Sequence, residues 1–245
     1  MNWRIAAAFA ASLAVAACGG GGSGATEGAG APAVTADPGP APTPVTATAP
    51  APVTAFAATP NIAMWGDSLT PGIARAFTYM WDTPRQIFDA GIAGQTSVQI
   101  VARETADTDH RDWLTTFWYG HNNVTQPEQI KADIAASVAH LAPGNNRFIV
   151  LSVLNEGNGL EGRGSPTYNT IMQLNSELAA TYPQNYLDIR SFMVSQFDPN
   201  NPQQVEEFQR DEPSSSLRFD AIHLTGSGAE VVGRKIIAFI QSKGW

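Results

Sequence analysis

A serine hydroxyl, a histidine, and a carboxylate three positions before that histidine together suggest nucleophilic acyl chemistry. Ser68 lies in Trp65-Gly66-Asp67-Ser68-Leu69-Thr70-Pro71, and Asp220 and His223 lie in Phe219-Asp220-Ala221-Ile222-His223-Leu224-Thr225. Serine becomes a nucleophile when a base removes its proton, and an imidazole base needs an anion to fix its tautomer and stabilise the imidazolium. The chain has four histidines, at 110, 121, 140 and 223. Only His223 is expected to have a carboxylate placed to orient it from within one loop. His110 sits in the acidic loop Asp107-Thr108-Asp109-His110, and His140 ends an amphipathic segment. Ser68 also has a plainer reading, because Ser, Asp and Thr in a turn commonly cap a helix. The nucleophile-elbow pattern G-x-S-x-G fails at its last position, which holds Thr70.

Two other turns carry hydrogen-bond donors. In Asp89-Ala90-Gly91-Ile92-Ala93-Gly94-Gln95 the bare N–H of Gly94 could approach a substrate oxygen, and in Gly120-His121-Asn122-Asn123 a side-chain amide could donate to the same atom. Each donor aimed at a developing oxyanion is worth about 3 kcal/mol in the transition state. Gly and Asn are also ordinary turn formers, so neither turn decides the matter alone.

Three of the four segments directly follow or flank apolar runs with strand character, and the fourth stands just before the last helix-period segment. The apolar runs are Asn61 to Trp65, Gln86 to Ala90, Thr115 to Tyr119, Phe148 to Leu154 and Tyr186 to Ile189. Helix-period segments separate them. From Gln126 to Leu141, Ile130, Ile134, Val138 and Leu141 share one face and Pro143-Gly144 ends the run; from Gly228 to Ser242, Val232, Ile236, Phe239 and Ile240 do the same. Alternating strands and helices predict a parallel sheet with helices on both faces, whose reactive crevice lies beyond the carboxyl ends of the strands. Thr70 is expected to cap the helix after the first strand, with Pro71 in its first turn.

Taken in order, Gly66-Asp67-Ser68-Leu69, Gly94, Gly120-His121-Asn122-Asn123 and Asp220-Ala221-Ile222-His223 resemble the four blocks of the SGNH, or GDSL, hydrolases over residues 61 to about 242. The resemblance implies a three-layer α/β/α domain with a mostly parallel, flavodoxin-like sheet. It makes Ser68 the nucleophile and an oxyanion donor through its N–H, Gly94 and Asn122 the other donors, His223 the general base and acid, and Asp220 its orienting partner. No metal or organic cofactor is implied. Two positions depart from the pattern: Asn123 replaces the usual Asp of the third block, and Asp89 stands where Asn often opens the second.

The remaining features concern partners and location. A net charge of −8, from 14 basic and 22 acidic residues, disfavours nucleic acid, whose phosphates require a basic surface. The single cysteine, Cys18, excludes an internal disulfide and a thiolate zinc cage. Residues 1–17 read as a secretory signal, with Arg4 before an apolar run too short to span a bilayer. Val15-Ala16-Ala17-Cys18 resembles a bacterial lipobox. Lipidation of Cys18 would place the protein in the cell envelope, with Gly19 after the cysteine favouring the outer membrane; ordinary signal cleavage is the alternative. Residues 18–60, rich in Gly, Ala, Pro and Thr, read as a disordered tether, and 61–245 as the hydrolase domain. Setting the first 60 residues apart leaves 33 charged residues among 185, an ordinary globular proportion.

The substrate expected from the resemblance is an ester of a small acyl group, such as acetyl, on a carbohydrate. A lipase, lysophospholipase or thioesterase on longer chains, and an inactive surface binding lipoprotein, are the alternatives. Trp113, Phe117, Trp118 and Tyr119 could stack on a sugar near Asn122 or simply be core. Gly157-Asn158-Gly159-Leu160-Glu161-Gly162 fits G-x-G-x-x-G, but Gly164, Ser165 and Pro166 prevent a helix from opening within it. It is read as a flexible rim loop.

Overall fold

In the computed structural model, residues 58–245 are described, and the signal, Cys18 and nearly all of the tether lie outside them. Five strands, β1 (Ile62–Gly66), β2 (Ile87–Gly91), β3 (Leu114–Trp118), β4 (Phe148–Leu151) and β5 (Tyr186–Leu187), form one parallel sheet in the order β2-β1-β3-β4-β5. This is the flavodoxin-like order expected from the resemblance. Every residue of β1, β3 and β4 is buried, which suits strands covered by helices on both faces.

The two faces of β1 show how the layers divide. Ile62 and Met64 pack with Ile73 and Phe77 of α1 (Thr70–Met80) and with Val232, Ile236 and Ile240 of α7 (Gly226–Ser242). Ala63 and Trp65 point the other way. There they belong to a second core cluster with Ile100 of α2 (Ser97–Glu104), Ile130 and Ile134 of α3 (Pro127–His140), and Ile171, Leu174 and Leu178 of α4 (Pro166–Thr181). Each such buried side chain contributes on the order of 2 kcal/mol through removal from water. In α7 the buried stripe runs through Ile237 instead of Phe239, which is only partly buried beside Trp245. Two short helices, α5 (Ile189–Val194) and α6 (Pro202–Gln209), follow β5 and lead to the loop holding Asp220 and His223. Among the described residues no helix is long and apolar enough to cross a membrane.

Of the four aromatics read as a sugar platform, three are core and Trp113 is partly buried at the amino end of β3. Phe117, Trp118 and Tyr119 are buried, and Trp113 packs edge-on against His110.

Candidate active site

Ser68 sits in the turn between β1 and α1, and its local structure differs from the capping scheme read from the sequence. Thr70 is the first residue of α1 and caps nothing; its buried Oγ1 has no hydrogen-bond partner. Asp67 serves the turn instead, accepting from Leu69 N on its side chain at 3.1 Å and from Thr70 N on its carbonyl at 3.3 Å. Gly66 is required by crowding: a Cβ there would lie 2.0 Å from Thr70 Oγ1 and 2.5 Å from Trp118 O. Burial pushes the Asp67 carboxyl above its ordinary value, although the Leu69 N–H and the nearby His121 and His223 oppose the rise.

Across the cleft, a short antiparallel bridge between Arg218 and Leu224 closes a loop that carries Asp220 and His223. His223 Nε2 lies 2.9 Å from Ser68 Oγ, and His223 Nδ1 lies 2.8 Å from Asp220 Oδ2. Asp220 Oδ1 accepts from the N–H groups of Ile222 at 2.9 Å and His223 at 2.7 Å. Desolvation raises the Asp220 carboxyl, but those two N–H groups and the imidazole outweigh it and bring it down to about 2. An ionised carboxylate can only accept, so the proton of neutral His223 lies on Nδ1. Nε2 is then left to accept from the Ser68 hydroxyl. The arrangement can draw a proton from serine as the oxygen attacks a carbonyl, then return it to a leaving group.

Ser68, His223 and Asn122 line one cleft of about 140 Å³, together with Asp67, Leu69, His121, Glu156 and Ile222. Asn122 Nδ2 donates to Gln95 O at 2.9 Å, tying the turn that contains Gly94 to the third block, and its second N–H is available for an oxyanion. Gly94 adopts φ +75 and does not line the cleft, though its turn is held against Asn122. Among the described residues no hydrogen bond engages the N–H of Ser68 or Gly94. No cluster of three or more His, Cys, Asp or Glu side chains among these residues is arranged to hold a metal ion.

The two departures from the family pattern also have structural roles. Asn123 is buried and accepts from Ser97 N at 3.0 Å while donating to Ser97 Oγ at 2.9 Å. Ser97 Oγ donates onward to Asp133 at 2.6 Å. An acid at 123 would place a second carboxylate beside that hydroxyl, so the amide is the group that satisfies the network. Asp89 caps the exit of β2 by accepting from Gly91 N at 3.0 Å.

Sequence reasoning missed His121 and Glu161. His121 Nε2 meets Glu161 Oε2 at 3.1 Å on the wall of the cleft. Burial lowers the basicity of His121, but Glu161, Glu156 and Asp67 outweigh that and raise it above the ordinary imidazole value. The pair is 40 residues apart in the chain, and no local spacing signals it. The 157–162 loop is tied down, contrary to the flexible rim expected. Gly157 N donates to Ala221 O at 2.7 Å, Gly159 N to Glu212 Oε1 at 3.0 Å, and Glu156 N to Glu161 Oε2 at 2.8 Å. Two of these backbone donors find acceptors on neighbouring loops and the third finds one within its own.

His223 is not the only histidine with a carboxylate placed to orient it from within its own loop. Asp107, three residues before His110, contacts the Nδ1 of His110 through both carboxylate oxygens, at 3.0 and 2.9 Å. The ring stacks on Phe88 near the amino end of β2, opposite the end of the sheet that carries Ser68.

This fold is that of the SGNH/GDSL hydrolases. An acetylxylan esterase from Geobacillus stearothermophilus is 15% identical, with 76% of this chain and 95% of that one covered and a TM-score of 0.55. A lipase/acylhydrolase from Enterococcus faecalis is 15% identical, with coverages of 76% and 97% and a TM-score of 0.54. A Desulfitobacterium hafniense protein assigned to the G-D-S-L lipolytic family is 16% identical, with coverages of 74% and 99% and a TM-score of 0.55. No protein-family model and no curated protein sequence matches the chain.

Proposed function

We propose that the protein is a serine ester hydrolase that works through an acyl-enzyme, with Ser68 as nucleophile, His223 as general base and acid, and Asp220 orienting His223. Ser68 N–H, Gly94 N–H and the Asn122 amide stabilise the oxyanion. The observation that carries this reading is the unbroken relay from Ser68 Oγ through His223 to Asp220 at the mouth of the cleft. As Ser68 Oγ bonds to the ester carbonyl carbon, its proton passes to His223 Nε2. Collapse of the tetrahedral intermediate expels the alcohol, which takes that proton, and water then releases the acid by the same steps.

The preferred acyl group is short, such as acetyl, because a cleft of about 140 Å³ has little room for a long chain. A carbohydrate alcohol is supported by the exposed Phe219, whose ring lies nearly parallel to that of His223 at 5.8 Å and offers a flat face outside the cleft. The expected result with p-nitrophenyl esters is a higher kcat/KM for acetate than for octanoate. A strong preference for octanoate would replace this reading with that of a lipase or thioesterase.

The proposed location is the cell envelope, through a lipid on Cys18. In a bacterial host, labelled fatty acid is expected to be incorporated into the wild type and not into Cys18→Ser, which should move to the soluble fraction. Equal labelling of the two would refute the anchor.

A further inference from the structure

The catalytic pair is unusually open for a group that must be placed within a fraction of an ångström. The side chains of His223 and Asp220 are 37% and 44% exposed, so packing does little to hold them. Beneath them lies a buried ion pair. Arg218 Nη2 meets Glu207 Oε1 at 2.9 Å, with the two side chains only 7% and 3% exposed. From there the guanidinium reaches the loop twice more, through Nη1 to Asp220 O at 2.7 Å and through Nε to Pro213 O at 3.0 Å. Glu207 Oε2 accepts from Ser215 N at 2.8 Å, fixing the start of the same segment to α6.

We propose that Arg218, clamped by Glu207, is the positioning residue that fixes the Asp220–His223 loop against Ser68. The local turn alone sets His223 relative to Asp220, through the two N–H groups on Asp220 Oδ1. It does not set the turn relative to β1. The turn is tied to the rest of the domain by Arg218, through Glu207 of α6, on one side and by Gly157 N on Ala221 O on the other. Gly157 is part of the same device. A Cβ there would lie 2.2 Å from Arg218 Cζ and Nη2, so the second loop is cut away to admit the guanidinium. A buried ion pair adds little net stability over an apolar pair of similar volume, so what this one supplies is geometry. The acidic 198–220 segment therefore serves as the foundation of the catalytic loop.

This inference deepens the esterase reading and rests on it for its kinetic test. Replacing Arg218 alone strands the Glu207 charge and can unfold the protein, so the primary variant is the double change Arg218→Met with Glu207→Leu. Turnover of p-nitrophenyl acetate is measured per active site, counted by fluorophosphonate labelling. The expected result is a kcat lowered about 10- to 100-fold with KM unchanged, as for a displaced catalytic group. The tautomer of His223 is read by long-range nitrogen–proton NMR through its carbon-bound ring protons, with His223→Gln and His110→Gln assigning the signals. The Nδ1-protonated form is expected to persist, because the local turn sets it, while the Nε2 chemical shift moves in the double variant as the hydrogen bond from Ser68 is lost. Should the double variant not fold, Arg218→Lys is measured in its place, since lysine keeps the charge toward Glu207 but cannot reach both carbonyls. Wild-type kcat and an unchanged His223 Nε2 shift in the folded variant would overturn the proposal. If the wild type neither labels nor hydrolyses, the esterase reading fails, and the Nε2 shift, which senses the Ser68 hydroxyl without turnover, decides the role of Arg218 by itself.

Discussion

Ser68→Ala is expected to lower kcat toward p-nitrophenyl acetate by about 10⁴- to 10⁶-fold and to abolish labelling by a fluorophosphonate. The size follows from the geometry. Ser68 Oγ is the hydroxyl that His223 Nε2 addresses, at 2.9 Å, and Asp220 holds the other nitrogen at 2.8 Å. Removing the hydroxyl leaves a base with nothing to deprotonate, so only the oxyanion donors and substrate binding remain to assist water. His223→Ala should cost a comparable factor, and the double variant hardly more than either single one, because the residues act as a unit. Asp220 stays ionised down to about pH 2, so mild acidification leaves the orienting carboxylate charged. Wild-type labelling and turnover by Ser68→Ala would refute the mechanism.

Glu104→Gln is expected to stabilise the protein by several kcal/mol at pH 8 and by little at pH 5. Glu104 ends α2 and is 3% exposed; its Oε2 has no hydrogen-bond partner, and Ser137 supports the carboxyl while also contacting Tyr119 Oη at 3.0 Å. Burial, with Asp107 adding repulsion, pushes its carboxyl up to about 8, against the favourable effects of Ser137 and Arg111. The folded-state value is thus above the unfolded value of 4.5, so the neutral form is the one that folding favours. Stability is fully present below pH 4.5 and is lost as pH rises through about 8, with a total on the order of 4 kcal/mol. Glutamine keeps the shape and the bond to Ser137 without the ionisation. Urea denaturation of both proteins at pH 5 and pH 8 measures the effect. An equal difference at the two pH values would show that Glu104 does not titrate in this window.

Much of the fold was legible because its causes are local or periodic. The strands came from short apolar runs, and α3 and α7 from apolar spacing of three and four residues. Their alternation implies a parallel sheet, and a parallel sheet places its chemistry at the carboxyl ends. The site was legible only in part. The Ser68 turn could be located, but its cap could not, because Thr70 and Asp67 are equally good caps by type. The hydrogen bonds of the folded turn separate them: Asp67 accepts from Leu69 N, and Thr70 Oγ1 bonds to nothing. His121 with Glu161 and Arg218 with Glu207 were invisible, since each pair joins elements that meet only after the sheet has formed.

The clearest division lies in two stretches with the same spacing. Asp107 and His110, like Asp220 and His223, stand three apart, and in both the carboxylate takes Nδ1 and the backbone N–H of the histidine. That much the sequence determines alone, because three residues in a turn bring the groups together wherever the turn lies. Which pair meets a serine is decided by the tertiary structure. The 107–110 turn precedes β3 at the amino end of the sheet and stacks its ring on Phe88, whereas the 220–223 turn is carried to the carboxyl end, where β1 delivers Ser68.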